Sequence, residues 1–115
     1  MQSGMESFAL YDLEVEVIKK DRSFVCSHHV GAAFRVEGEN LVFPKGCSFS
    51  LYSLSALLPL LPAKQRETHE NDWMTSDECV ACPDPYCGAL FRIRRTGRRT
   101  FLRSETTVTK KSTEI

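Results

Sequence analysis

Leu13, Val15 and Val17 alternate with Asp12, Glu14 and Glu16. A period of two marks a strand with one dry face and one wet face, here over residues 10–19. Phe34 and Val36 alternate with Arg35 and Glu37 in the same way. Glu37-Gly38-Glu39-Asn40 then reads as a turn, and Leu41-Val42-Phe43 continues the sheet or runs along its edge. The period changes at Leu51, Leu54, Leu57, Leu58 and Leu61, whose spacing lines one face of a helix. Ser48 or Ser50 is placed to cap its start. Pro59 lacks a backbone donor and clashes with the preceding turn, so the helix ends or kinks near Leu58, with Pro62 as a stop.

Residues 63–78 are polar and predict a long loop. Trp73 interrupts them and is expected to fold back as a lid over a pocket in the core. A short strand over residues 78–82 leads into Pro83-Asp84-Pro85, a turn because proline fixes φ and restricts the residue before it. Residues 89–95 resume a strand, with Phe91 and Ile93 inward and Arg92 and Arg94 outward. Thr96-Gly97 predicts a turn, and residues 101–108 a last strand. The sum is a small α+β domain over residues 9–103, with four to five mostly antiparallel strands and one main helix. Residues 1–8 and 109–115 are expected to be flexible termini.

A chain of 115 residues, 42% hydrophobic and 26% charged, has the make-up of one globular domain. Its formal net charge is zero, so no overall field draws it to nucleic acid or anionic lipid. The charge is nevertheless split. Residues 1–88 hold 7 Lys/Arg against 13 Asp/Glu, whereas residues 89–115 hold 8 against 2. The basic cluster of Arg92, Arg94, Arg95, Arg98, Arg99, Arg103, Lys110 and Lys111 reads either as a solvated strand face with a polar tail or as a surface for an acidic partner. Phe91 and Phe101 alone make no stacking platform, so nucleic acid is not an expected partner. The first seventeen residues lack a basic segment followed by an apolar one, and the longest apolar run, around residues 56–63, is too short to cross a bilayer. A cytoplasmic protein with no membrane contact is the expectation. Five cysteines in that setting favour free thiols, a metal or redox chemistry over a disulfide framework.

Cys79-x2-Cys82-x4-Cys87 is the densest thiol cluster. Its first spacing suits a zinc knuckle or a redox dithiol, yet a structural zinc site needs four ligands and the second pair is missing. A redox dithiol normally sits at a helix N-terminus, and this one leads into a proline turn. The alternative is a buried core thiol at Cys82 with Cys79 and Cys87 incidental. Cys26-Ser27-His28-His29 is the second constellation, able to share a metal or to hold a thiolate, or else a polar loop. No Ser/His/Asp set, glycine-rich phosphate loop or paired-carboxylate motif is present.

Several of these pieces resemble a family of small, largely uncharacterised bacterial and archaeal proteins. Its pattern runs Cys, G-H-x-V-G-D-x-F, G-x-C-P-x-A, P-W, C-P-D-P and V-F-x-I-x-R. The matching residues are His28, Val30, Gly31 and Phe34; Gly46 and Cys47; Trp73; Cys82, Pro83, Asp84 and Pro85; and Phe91, Ile93 and Arg95. Ala32, Ser48 and Asp72 depart from it. The resemblance groups Cys26, His28, Cys47 and Cys82 as a candidate thiol or metal cluster, a set that suits zinc or iron.

Two function classes follow. One is a small accessory or binding protein serving a metabolic, or specialised biosynthetic, pathway, with a partner protein or small molecule. The other is a small thiol- or metal-dependent enzyme, decarboxylase- or isomerase-like, working through that Cys/His cluster.

Overall fold

The computed structural model describes residues 6–18, 29–84 and 86–108. Its frame is one antiparallel sheet of β1 (Ser7–Ile18), β2 (Gly31–Glu37), β3 (Asn40–Val42), β4 (Cys79–Ala81) and β5 (Leu90–Leu102). The strand order is β3-β2-β1-β5-β4. Four short helices accompany it among the described residues: α1 (Leu51–Leu57), α2 (Leu61–Lys64), α3 (Trp73–Ser76) and α4 (Arg103–Thr106). The fold is α+β.

The alternation in β1 does what its period requires. Leu13 and Val15 are fully buried and Val17 nearly so. They meet Phe34 and Val36 of β2 and Phe91 and Ile93 of β5 in one core. An aromatic chain crosses it: Phe49 stands edge-on to Phe34 at 5.2 Å and lies 5.5 Å from Phe91. The β2–β3 turn has Gly38 at φ 62° as the first central residue of a two-residue loop, and Glu37 pairs with Asn40 across it. Such tight hairpin turns favour glycine at that φ.

β1 and β5 pair along their whole length, from Ser7 opposite Leu102 to Ile18 opposite Leu90. This corrects three expectations. Thr96-Gly97 is no turn: Asp12 pairs with Gly97 and Leu13 with Arg95, so Thr96 is the extra residue of a bulge within one strand. Strand structure ends at Leu102, and α4 replaces the expected last strand. At the other end the sheet starts at Ser7, and Phe8 stacks on Phe101 with ring centroids 5.5 Å apart. Residues 7–8 therefore belong to the sheet. Residues 109–115 lie outside the described residues.

The expected single helix is two. Ser50 caps α1 by accepting from the Ser53 N–H, and α1 ends at Leu58, just before Pro59. Pro62 does not stop a helix but sits in the first turn of α2, where its missing N–H costs nothing. Of the leucine stripe, Leu57 and Leu61 reach the core, while Leu51 and Leu58 are exposed. Ser53 takes a core position that the stripe would have given to an apolar side chain.

Candidate functional site

The split in charge resolves within the molecule. Glu14 lies opposite Arg94 and Glu16 opposite Arg92 in the β1–β5 register. Arg92 Nη2 stands 2.8 Å from Glu16, and Arg94 pairs with Glu14 and reaches Glu16. Arg99 binds Asp12 at 2.7 Å and approaches Glu37 at 3.5 Å. Pairing with these carboxylates raises the pKa of Arg94 and Arg99 above the usual guanidinium value. Arg95 is consumed structurally: its Nε donates to the Lys64 carbonyl at 2.8 Å and its Nη2 to the Arg66 carbonyl at 2.9 Å. Its guanidinium also covers the Tyr11 ring at 4.5 Å. Much of the basic cluster is thus the complement of the acidic face of β1.

The thiols take three different environments. Cys47 is an exposed free thiol in the turn before α1, where its N–H donates to the Pro44 carbonyl. It shares a hollow of about 90 Å³ with His29, Ala32 and Phe49. Cys82 is half-buried and packed on the core, with Sγ 3.7 Å from Ser53 Oγ. Cys79 is free and exposed on β4. Cys87 departs from the free-thiol expectation, being fully buried and disulfide-bonded. The turn puts it there, since its N–H closes on the Asp84 carbonyl at 3.1 Å while Asp84 Oδ1 accepts from Tyr86 N–H. Cys26, His28 and Pro85 lie outside the described residues. Among the described residues no group of three or more His, Cys, Asp or Glu side chains is placed to hold a metal ion.

Two of the larger hollows have mainly apolar walls. The larger is a groove of about 480 Å³ where the ends of β1 and β5 meet the β2–β3 turn and α2. Its walls are mainly apolar: Phe8, Leu10, Leu41, Leu58, Leu61 and Phe101. Gln65 anchors one side by donating its Nε2 N–H to the Gly38 carbonyl at 2.7 Å. Arg66 and Glu39 stand at the rim. The volume lies in the range of small-molecule sites, about 300–1,000 Å³.

The smaller is a cleft of about 330 Å³ between α3 and β4, lined by Leu60, Trp73, Met74, Val80 and Ile93 with Asp77 and Glu78 beside them. Trp73 is 72% exposed. It forms a wall of this cleft and does not fold over the core as expected. Its place is set by Asp72, which caps α3 by accepting from the Met74 N–H at 2.8 Å. Lys64 holds the far end: it is buried, and its Nζ donates to the Met74 and Asp77 carbonyls at 2.7 and 2.8 Å. Burial lowers the Lys64 pKa from its ordinary value, with the Arg95 charge acting in the same direction.

No family model, curated protein or solved structure matches this chain. The groove had no motif to announce it. Its trace in the sequence is one aromatic residue at the start of β1 and one near the end of β5, Phe8 and Phe101, which are 93 positions apart and become neighbours only through the strand register.

Proposed function

We propose that this chain is a small non-catalytic binding protein, an accessory to a metabolic pathway, whose groove at the Phe8–Phe101 end takes a small, mainly apolar ligand. The observation that carries this reading is the groove: Leu58 and Phe8 stay 44% and 41% exposed where the same walls present Leu61 and Leu10 from the buried core. An apolar ligand there removes apolar surface from water at about 25 cal/mol per Å². Gln65, Glu39 and Arg66 supply the few polar groups that orient a ligand in such sites.

The test is a screen of apolar fragments by ligand-observed NMR, followed by amide-shift mapping on the isotope-labelled protein. Hits are expected to move Leu41, Leu58 and Phe101 and to be lost in Leu58→Glu, whose side chain is exposed enough for the fold to survive. Hits confined to the surroundings of Cys47 and Cys82, or no hits at all, would overturn the reading. The first of these results would return the thiol chemistry of Cys26, His28, Cys47 and Cys82 to the front.

A further inference from the structure

β4 ends the sheet on one side, and its free edge is legible in the hydrogen bonds. The Cys82 N–H donates to the Ala89 carbonyl and the Ile93 N–H to the Glu78 carbonyl. Val80 pairs with Phe91 between them. Even-numbered residues of β4 therefore bond to β5, and the backbone N–H and C=O of Cys79 and Ala81 point the other way, into solvent. Both residues are exposed. No described residue pairs with that edge, and an edge of this kind is a template for another strand.

The cleft of Trp73 runs beside that edge. Val80 packs toward the core, and side chains two apart share a face, so Glu78 lies on the same side as Val80. Neither Asp77 nor Glu78 is in an ion pair among the described residues. The Lys64 ammonium behind them is bonded to main-chain carbonyls and interacts with both carboxylates only through space. Of the guanidinium groups across the ladder, Arg94 feels the Glu78 charge but is bonded to Glu14, and Arg92 is paired with Glu16.

We infer that β4 accepts an extended peptide segment by strand addition, one that carries an apolar side chain opposite Val80 and a lysine or arginine two residues away, opposite Glu78. Main-chain bonds to Cys79 and Ala81 give the affinity common to all sequences, and the cleft and its acidic rim choose among them. The apolar side chain stacks against Trp73. This surface is separate from the groove, so either reading stands or falls without the other.

Trp73 is the sole tryptophan, so its fluorescence reports the cleft alone. The probe is the capped peptide Thr-Lys-Thr-Phe-Thr-Lys-Thr, with Thr-Glu-Thr-Phe-Thr-Glu-Thr as its charge-reversed control. The lysine peptide is expected to shift Trp73 emission to the blue in a saturable titration and to protect the Cys79 and Ala81 amides from hydrogen exchange. The glutamate peptide is expected to bind about tenfold more weakly or worse, since like charges across an interface are costly. The double variant Asp77→Lys, Glu78→Lys should reverse the order of the two peptides, with circular dichroism checking its fold. Ala81→Pro removes one outward N–H without touching the ladder to β5, and should weaken the lysine peptide. No saturable shift, equal binding of the two peptides, or binding without amide protection at Cys79 and Ala81 would each overturn the inference.

Discussion

Glu16 of β1 and Arg92 of β5 face each other in register, with carboxylate and guanidinium 2.8 Å apart and Arg94 within 3.6 Å of the same oxygen. A single exposed ion pair is worth little, but a carboxylate between two guanidinium groups in a cross-strand ladder also keeps like charges apart. Glu16→Lys places three cations side by side and is expected to lower the urea midpoint. The loss should shrink as salt is raised, because the screening length falls from about 30 Å at 0.01 M to about 3 Å at 1 M. Adding Arg92→Glu to that variant should recover part of it.

Lys64 joins α2 to the end of α3 through two main-chain carbonyls. Lys64→Met keeps the apolar stem and removes both donors, so two carbonyls lose their partner. The expected cost is about 1–3 kcal/mol in chemical unfolding. The pH dependence has a definite sign. The folded pKa is lowered, so between that value and the ordinary 10.5 the unfolded chain binds more protons than the folded one. This group alone therefore makes stability rise with pH across that window. The neutral amine still has two N–H groups for its two carbonyls. Comparing the alkaline limb of the wild type with that of Lys64→Met isolates the effect.

Gly38 combines φ 62° with a tight neighbour: a Cβ built there lies 3.3 Å from Phe101 Cζ. Gly38→Ala is expected to destabilise the protein by about 1 kcal/mol or more from the backbone alone. Contact with the Phe101 ring should also shift that ring's NMR signals at the groove. Glu39→Ala, one residue on, is the control that should leave both nearly unchanged.

The thiols should react in an order set by exposure. Cys47 and Cys79 are expected to take iodoacetamide first and Cys82 later, as its Sγ is half-buried beside Ser53. Cys87, buried and disulfide-bonded, should label only after reduction. Peptide mass spectrometry of a labelling time course reads all four. Early labelling of Cys82 would show that the contact between α1 and the end of β4 opens in solution.

The strands were legible wherever burial imposes a period of two. In β1, β2 and the first half of β5 the residues carry their own in-and-out instruction, and the α+β class follows from them. Legibility failed where a neighbour decides. Thr96-Gly97 looks like a turn because turn residues also serve in bulges, and only the register with Asp12 and Leu13 distinguishes the two. Leu58 sits in the apolar stripe, yet it is exposed because α1 ends there. The basic cluster hinted at a partner, but Asp12, Glu14 and Glu16 had already matched much of it from the far end of the chain. Of the candidate cluster, Cys47 and Cys82 fall in different surroundings, and Cys26 and His28 lie outside the described residues. Lys64 and Arg95 are ordinary surface residues by type, and their anchoring roles arise from backbone carbonyls that no side-chain pattern encodes.

The long pairing of β1 with β5 also governs when this protein can fold. β1 is the middle strand of the sheet, and the contacts on its β5 side join residues as far apart as Ser7 and Leu102, 95 positions along the chain. Such closures are paid for in chain entropy before any contact rewards them, and folding slows accordingly. During synthesis β1, the first of the described strands to emerge, must wait for β5, the last of them. Until then β1 has only the β2–β3 hairpin to lean on and exposes a row of valines and leucines along an open edge.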